Sequence, residues 1–290
     1  MSPYPFRIVN VFAEARLAGN PLAVFPDARG LNDATMQALA LQFNLSETTF
    51  VFPSDKATAH VRIFTPTFEM PFAGHPTLGT AHVVRHAAGA GDSITLEMRA
   101  GIIPVEASGD VWTLQANAPK SRPVGASRRE LAEMLALAES DVAPDPSNPP
   151  LWVDTGSEQL IIPLASADAV RRAVPRADFL QLHASTGQRS MAYIFAPDTA
   201  ARDHEGPGPI VARFLFLKYG AIVEDPGTGS ACANLGGWLI ANRARLPQRL
   251  TIAQGDLVGR PCRLGLEVTS DSRIRVSGRV IELAQGTLML

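Results

Sequence analysis

The stretch FEMPFAGHPTLGTAHVVRHAA, residues 68–88, decides the fold. From His75 onward, small and apolar side chains occupy nearly every face of the helix that this stretch predicts, and a helix that is apolar all round is typical of a buried position. Pro76 suits the first turn of such a helix, where no backbone N–H is needed. The sequence therefore predicts a helix at the centre of a domain.

A second stretch of the same kind is EDPGTGSACANLGGWLIA, residues 224–241. Asp225 lies five residues before Ser230, where the second buried helix is predicted to begin. In the first stretch, Glu69 lies five residues before Gly74, which gives an offset of 156 residues. Either coincidence or an internal duplication explains this offset. We favour duplication, because each stretch also follows a predicted strand and contains a turn rich in proline and glycine.

Alternating apolar and polar residues predict strands over most of the remaining chain. Few of these strands are separated by helices, which favours antiparallel or mixed sheets over a doubly wound parallel sheet. Two further helices are predicted, one capped by Asn32 or Asp33 and one opened by a capping box of Ser127 and Glu130. The fold class is therefore α+β, with two domains that each have a central helix. The predicted strands are 6–12, 48–52, 59–64, 94–98, 102–107, 111–116, 160–164, 191–195, 211–217, 250–253, 262–268, 274–277 and 280–283.

Composition excludes several functional classes. The 290 residues carry a formal net charge of -2 and the 26 basic residues are scattered, so no nucleic-acid-binding surface is indicated. The sequence contains no apolar run of about 18 residues, the length that spans a bilayer, and its first residues do not resemble a secretory signal. Two cysteines, Cys232 and Cys262, cannot form a disulfide framework. We therefore expect a cytoplasmic protein that binds neither nucleic acid nor membrane.

Metal and cofactor sites are not indicated either. The cysteines and histidines lack the spacing of zinc ligands, and the sequence contains no P-loop and no dinucleotide-binding G-x-G-x-x-G segment. We expect chemistry without a metal or cofactor. The segment 197–209 predicts a flexible surface loop.

Glu47 is the first candidate for chemistry. In NLSETTFVF, residues 44–52, it lies between an amphipathic helix and a strand, with Leu45, Phe50 and Phe52 as apolar neighbours. Apolar surroundings raise the pKa of a carboxyl group toward the range of a general acid/base. The alternative is a solvated glutamate in an ordinary turn.

The starts of the two buried helices are candidates for binding an anion. Unpaired N–H groups and the positive end of the helix dipole attract carboxylates, and glycines at 74, 227 and 229 let a ligand approach the backbone. His75 is predicted to be a neutral imidazole, because the dipole disfavours imidazolium. Asp225 either anchors its turn or supplies a second carboxylate, and Ser230 is either a helix cap or a ligand donor. Each turn alone also fits an ordinary strand-to-helix connection; together they favour a small anionic substrate.

Five segments together resemble the PhzF family of phenazine-biosynthesis-like isomerases: FAEARLAGNPLAVF, NLSETTFVF, IFTPTFEMPFAGHPTLGTAHV, EDPGTGSA and QGDLVGRP. They occur in the family's order and cover nearly the whole chain. The resemblance implies a diaminopimelate-epimerase-like fold: two pseudo-symmetric domains, each a mixed sheet or barrel wrapped around a central helix, with the active site in the cleft between them. The expected domains are 1–118 plus 279–290, to which the last strand returns, and 119–278. A homodimer is also implied.

The same resemblance implies the site residues. Glu47 matches the family's catalytic acid/base. Three other matching positions are expected to bind substrate or assist proton transfer, and four neighbouring positions to bind substrate. The catalytic candidates besides Glu47 are His75, Asp225 and Ser230, and the substrate-binding candidates are Ser46, Gly74, Thr228 and Gly229.

The activity implied is a cofactor-independent isomerisation. Glu47 would move a proton within a small carboxylic acid, as in the family's isomerisation of trans-2,3-dihydro-3-hydroxyanthranilate. Two alternatives stay open. One is an epimerase or racemase of an amino-acid-like substrate that uses Glu47 with Asp225 or His75 instead of thiols. The other is a non-catalytic protein that binds small acids.

Overall fold

A computed structural model describes residues 2–201 and 209–290 of the chain. The chain divides into two compact units, one formed by Met1–Gln115 with Ser277–Leu290 and the other by Ala116–Val276. We call them unit 1 and unit 2. These limits lie within three residues of the boundaries expected at 118 and 279.

The secondary structure alternates between short strands and a smaller number of helices. The strands are β1 (Pro3–Val11), β2 (Asn20–Phe25), β3 (Glu47–Phe52), β4 (Ala59–Phe64), β5 (Glu69–Met70), β6 (Ser93–Met98), β7 (Gly101–Ser108), β8 (Val111–Gln115), β9 (Lys120–Pro123), β10 (Leu151–Asp154), β11 (Glu158–Pro163), β12 (Ser185–Thr186), β13 (Arg189–Pro197), β14 (Ile210–Lys218), β15 (Ala221–Asp225), β16 (Gln248–Gln254), β17 (Cys262–Val268) and β18 (Ile274–Met289). The helices are α1 (Asp33–Phe43), α2 (Gly74–Ala88), α3 (Arg128–Leu135), α4 (Ala167–Arg172), α5 (Ala177–His183) and α6 (Gly229–Ala241), with short 3-10 turns at Glu139–Asp141, Thr199–Ala201 and Asp256–Val258.

Unit 1 is a mixed sheet closed around α2. Neighbouring strands pair in the order β1, β2, β3, β4, β6, β7, β8, and β18 pairs with both β8 and β1. The β2–β3 and β4–β6 pairs are parallel. Gly79 lets the helix lie against this sheet, because a Cβ atom there would be 2.7 Å from Leu22 Cδ2 and 2.9 Å from Val11 Cγ2. The helix predicted from residues 68–88 is therefore the centre of unit 1.

The outer helix α1 sets the start of β3. Its N-cap is Asn32, whose side chain accepts from the Thr35 N–H, and its buried face packs against an aromatic cluster that includes Phe25 and Phe50. The helix ends at Phe43, and its C-cap Asn44 adopts a left-handed conformation with φ of 51°. The chain then enters β3 directly, so the α1–β3 turn determines where Glu47 lies.

Unit 2 repeats the pairing scheme of unit 1. Its strands pair in the order β9, β10, β11, β13, β14, β16, β17, and α6 contacts β9, β10, β11 and β17. The parallel pairs are β11–β13 and β14–β16, which correspond to β2–β3 and β4–β6 of unit 1 when β9 is matched with β18 and β10 with β1. This repetition supports the internal duplication and confirms the predicted fold class.

The two buried helices begin 155 residues apart, at Gly74 and Gly229. This is one residue fewer than the offset read from the sequence, because α6 begins one residue before Ser230. Gly229 is therefore the structural counterpart of Gly74, and Ser230 is the counterpart of His75.

Some elements differ from the sequence predictions. The strands predicted at 274–277 and 280–283 form the single strand β18, which continues to Met289. Strand β2 was not predicted, because it is buried on both faces and shows no alternation. The short helices α4 and α5 were missed as well. Of the predicted loop at 197–209, Pro197 ends β13 and residues 199–201 form a 3-10 turn, whereas 202–208 lie outside the described residues.

Within the described ranges, no helix combines the length and the apolar character needed to cross a membrane.

Candidate active site

Glu47 is the first residue of β3, next to the start of α2. Its backbone lies opposite Leu22 in the parallel β2–β3 pair. Because side chains alternate along a strand, Glu47 and Thr49 share a face. The Thr49 and Thr80 hydroxyl oxygens are 2.8 Å apart, which ties this face of β3 to α2. Glu47 therefore faces the central helix of unit 1.

Glu47 and His75 come together in a partly enclosed contact. Their Oε2 and Nε2 atoms are 3.3 Å apart, and the side chains are 15% and 7% exposed, respectively. The alternative of a solvated glutamate in an ordinary turn is therefore wrong for Glu47. The structure brings the two sequence-predicted residues of unit 1 within reach of one another.

His75 is an uncharged partner in this contact. Burial lowers the pKa of His75 to about 3, although a hydrogen bond to the Pro21 carbonyl acts in the opposite direction. The predicted neutral imidazole is confirmed, but its main cause is loss of solvent and not the helix dipole. Asn20 lies on the other side of the ring, with its Nδ2 atom 3.4 Å from His75 Nδ1. A neutral imidazole can donate through one nitrogen and accept through the other.

The start of α2 lacks a side-chain cap, as do the starts of α5 and α6. Its N-cap is Ala73, which has no oxygen to accept from the first N–H groups, and its first turn contains no acidic residue. By contrast, Asn32, Ser127 and Ser166 cap α1, α3 and α4. An N-terminus without a cap suits an anionic ligand. Gly74, the first residue of α2, is buried beside Glu47's partner His75.

In unit 2, Asp225 and Thr228 form one turn before α6. The Thr228 hydroxyl donates to Asp225 Oδ2, so it does not cap α6 although Thr228 is the N-cap residue. The Gln254 side chain stabilises this turn: its Nε2 donates to the Asp225 carbonyl at 2.8 Å and to Thr228 Oγ1 at 3.1 Å. Gly255 has a positive φ of 80°, and a Cβ there would lie 2.5 Å from the Pro226 carbonyl oxygen. Asp225 therefore anchors its turn through Thr228.

Ser230 is the second residue of α6 and not its cap. Gln159 Nε2 donates to Ser230 Oγ at 2.9 Å. Gly229, which precedes Ser230, is buried, whereas the serine itself is half-buried. The alternative of a helix cap is therefore wrong for Ser230, and the role of a ligand donor stays a prediction.

Ser46 is the one substrate-binding candidate that lies at the surface, and Cys232 near the start of α6 is no alternative nucleophile. Ser46 is exposed at the end of the α1–β3 turn. Cys232 is fully buried, and burial raises the pKa of its thiol, which disfavours a reactive thiolate.

A set of buried amide side chains around these positions was not predicted from the sequence. Three of them contact a predicted site residue, and the Asn234 side chain reaches Ser230 only through Gln159. A lone polar residue in a buried element is the signal that could have identified them. They are Asn20, Gln159, Asn234 and Gln254.

Nothing in residues 2–201 and 209–290 groups three histidine, cysteine or acidic side chains as a metal site would require. A cavity of about 490 Å³ occurs in unit 1, but its lining includes neither Glu47 nor His75. Its charged groups are already paired: Arg7 with Glu282 at 2.5 Å, and Asp110 with Arg85 at 3.8 Å. We therefore do not assign the site to this cavity.

His82 and His75 make stability depend on pH. The pKa of His82 is lowered to about 4, mainly by burial, and that of His75 to about 3, whereas unfolded histidines titrate near 6.5. As the pH falls below 6.5, the unfolded chain takes up protons that the folded chain excludes. The free energy of unfolding is thus highest above pH 7 and falls toward pH 4, by up to about 1.4 kcal/mol per pH unit for each histidine.

Urea unfolding at several pH values between 7 and 4.5 checks this prediction. His82→Gln should unfold with a shallower pH dependence than the native chain, even though loss of the Trp112 N–H to His82 Nδ1 bond lowers stability at every pH. His183→Gln, at the half-buried end of α5, is the control. An unchanged pH slope in His82→Gln would contradict the assignment.

Comparison with known proteins agrees with this architecture. The family model of the phenazine biosynthesis-like proteins matches residues 9–286. An uncharacterised isomerase of Pasteurella multocida is 39% identical over 100% of this chain and 96% of its own length. The trans-2,3-dihydro-3-hydroxyanthranilate isomerase of Pseudomonas aeruginosa is 32% identical over 98% of each chain. A Bacillus anthracis protein of the PhzF family has a similar fold, with a TM-score of 0.87, 24% identity and complete coverage of both chains. The chain therefore belongs to the PhzF family of phenazine biosynthesis-like proteins, whose members include named isomerases.

Proposed function

We propose that this protein isomerises a small conjugated carboxylic acid, with Glu47 as the general acid/base and without a cofactor. The observation that carries the proposal is the enclosed contact between Glu47 and the neutral His75 at the uncapped start of α2. Membership of a family with named isomerases supports the reaction class. The substrate to test first is trans-2,3-dihydro-3-hydroxyanthranilate, on which the Pseudomonas aeruginosa relative acts by name.

The chemistry needs one group that removes a proton and returns it. The Glu47 carboxylate takes a proton from a carbon whose carbanion is delocalised by conjugation. The protonated carboxyl then delivers that proton to another carbon of the same conjugated system, so no atom is lost and no electron acceptor is needed. A base that is partly shielded from water exchanges its proton with solvent more slowly, which favours return of the same proton.

The substrate carboxylate is proposed to bind at the start of α2. The N–H groups of Gly74 and His75 begin a helix of 15 residues, and Ala73 offers them no competing side-chain oxygen. The positive end of the dipole adds to the attraction. Asp225 and Ser230 are proposed to bind substrate or assist proton transfer, and Thr228 and Gly229 to bind substrate, as the family resemblance implies.

Isotope labelling tests the reaction class. The purified protein is incubated with trans-2,3-dihydro-3-hydroxyanthranilate in deuterium oxide, and the product is examined by NMR and mass spectrometry. Formation of a positional isomer that carries less than one deuterium per turnover supports intramolecular proton transfer. Inversion of a stereocentre without a positional isomer would instead indicate an epimerase. Binding with neither product nor deuterium exchange would indicate a protein that only binds acids.

Activity is expected to persist in excess chelator, because proton transfer by Glu47 needs no metal. Turnover is measured before and after dialysis against EDTA, with the metal content followed by mass spectrometry. Loss of activity that added Zn²⁺, Mg²⁺ or Mn²⁺ restores would contradict this mechanism.

A further inference from the structure

Two buried amide side chains are joined to Ser230 by consecutive hydrogen bonds. Gln159, on β11, is 2% exposed, and Asn234, on α6, is fully buried. Gln159 Nε2 donates to Ser230 Oγ at 2.9 Å, and Gln159 Oε1 accepts from Asn234 Nδ2 at 2.8 Å. We call Asn234, Gln159 and Ser230 the amide line.

Thr155 and Ser157 fix which way the amide of Asn234 points. Its Oδ1 accepts from the Thr155 N–H at 2.9 Å and from the Thr155 hydroxyl at 2.7 Å. Its Nδ2 donates to the Ser157 carbonyl at 2.8 Å. A backbone N–H can only donate and a backbone carbonyl can only accept, so turning the amide over would break both bonds.

The orientation of Asn234 determines that of Gln159. Asn234 presents an N–H group to Gln159, which therefore turns its Oε1 toward Asn234. The NH₂ group of Gln159 is then left to face Ser230, where it donates to Oγ. The direction of every bond in the amide line thus follows from two backbone groups.

We propose that the amide line makes the Ser230 hydroxyl a hydrogen-bond donor to the substrate. A serine hydroxyl normally rotates to donate or to accept. Here the N–H of Gln159 occupies one lone pair, so the hydroxyl proton points away from Gln159. In the described part of the chain no group accepts that proton. The half-buried hydroxyl therefore presents its proton to an acceptor on the ligand, a carboxylate or carbonyl oxygen.

Gln159 and Asn234 are positioning residues in this proposal, which rests on the proposed function because it assigns Ser230 to substrate binding. The same arrangement occurs in unit 1, where Asn20 of β2 lies 3.4 Å from His75, the counterpart of Ser230. In both units an amide on the equivalent strand reaches the second residue of the buried helix. The repetition indicates that the contact is a feature of the duplicated unit.

Gln159→Glu tests the direction of the hydrogen bond with almost no change of shape. The variant keeps an oxygen for Asn234 but places a carboxylate oxygen where the NH₂ group was. The Ser230 hydroxyl would then donate to that oxygen and no longer to the ligand. We expect the Kd of anthranilate, measured by calorimetry, to rise at least tenfold, with the loss of trans-2,3-dihydro-3-hydroxyanthranilate turnover appearing mainly in KM.

The matched control is Gln248→Glu. Gln248 lies in the same unit and donates to the Arg245 carbonyl, away from Ser230. This variant should bind anthranilate within twofold of the native protein. Circular dichroism and thermal melts of both variants establish that they are folded.

A double-variant cycle separates positioning from a structural role. Ser230→Ala should weaken anthranilate binding, and adding Gln159→Glu to it should cause less than a twofold further loss, because Gln159 acts through the missing hydroxyl. If the two effects multiply, or if Gln159→Glu binds like the native protein, the proposal is wrong.

A ligand-free measurement keeps this inference separate from the proposed function. The side-chain ¹H–¹⁵N signals of Gln159 should shift in Ser230→Ala, whereas those of Gln248 should not. If the native protein fails to bind anthranilate and to turn over the substrate, the proposed function fails while these signals still report on the amide line. Gln159 signals that are unchanged in Ser230→Ala would overturn the inference.

Discussion

Replacement of Glu47 by glutamine is expected to lower kcat at least about a hundredfold while the fold is retained. Glutamine has nearly the same shape as glutamate, and the backbone pairing of this position with Leu22 does not depend on the side chain. The amide, however, cannot take up and return a proton. Steady-state kinetics on trans-2,3-dihydro-3-hydroxyanthranilate, with circular dichroism of the same preparations, measures both parts of the prediction.

The control for this substitution is Glu106→Gln. Glu106 is exposed on β7 of the same unit. The Glu106→Gln variant should therefore be as active as the native protein. Glu47→Asp, which withdraws the carboxyl group by one methylene, should retain more activity than Glu47→Gln. Turnover by Glu47→Gln within threefold of the native rate would end the assignment of Glu47 as the acid/base.

The second large loss of kcat is expected on substitution of His75. Its size should depend on which ring nitrogen the amide of the replacing side chain matches in position. The amide of glutamine reaches roughly the position of Nε2, which faces Glu47, whereas that of asparagine reaches only the position of Nδ1. His75→Asn therefore removes the group beside the carboxylate. His75 Nε2 and the Glu47 carboxylate are 3.3 Å apart without substrate, and a contact that tightens to a hydrogen bond with a charged group in the substrate complex is worth about 1.5–3 kcal/mol, or about ten- to a hundredfold in kcat. The kcat of His75→Gln should fall by less than that of His75→Asn, because the glutamine amide still lies beside the carboxylate.

Kinetics of both variants, with melting temperatures, would check this order. His86→Asn is the control, because His86 is exposed on the same helix.

The pH–rate profile of the native enzyme adds a second observation. Since the pKa of His75 is lowered to about 3, no ionisation of His75 should appear in the profile between pH 5 and 9. Equal activity of His75→Asn and the native enzyme would remove His75 from the mechanism.

Glu47 and His75 illustrate how far the sequence allowed prediction. His75 lies at the start of a buried helix as predicted, and the Glu47 side chain is only 15% exposed, which excludes the alternative of a solvated turn. Their contact could not be derived, because it depends on the pairing of β2 with β3 and on α2 lying against β1 and β2. Strand β2, which places Glu47, is buried on both faces and shows no alternation in the sequence that would predict it.

The amide side chains show the limit more clearly. Gln159 and Asn234 are 75 residues apart in the chain and yet their side chains are hydrogen-bonded to each other. Their isolated occurrence in apolar segments could mark them as unusual, but not as partners of one another. Only the packing of α6 against β11 makes the direction of each hydrogen bond a consequence of the backbone.

Short-range patterns were enough to predict the fold class and the two buried helices, because helix periodicity, strand alternation and capping depend on neighbours within a few residues. The contact of Glu47 with His75 and the orientation of Ser230 came from chain folding, since residues far apart in sequence meet only after the sheets have formed. Burial by those distant residues lowers the pKa of His75, and the sequence analysis had ascribed the neutral imidazole to the local dipole.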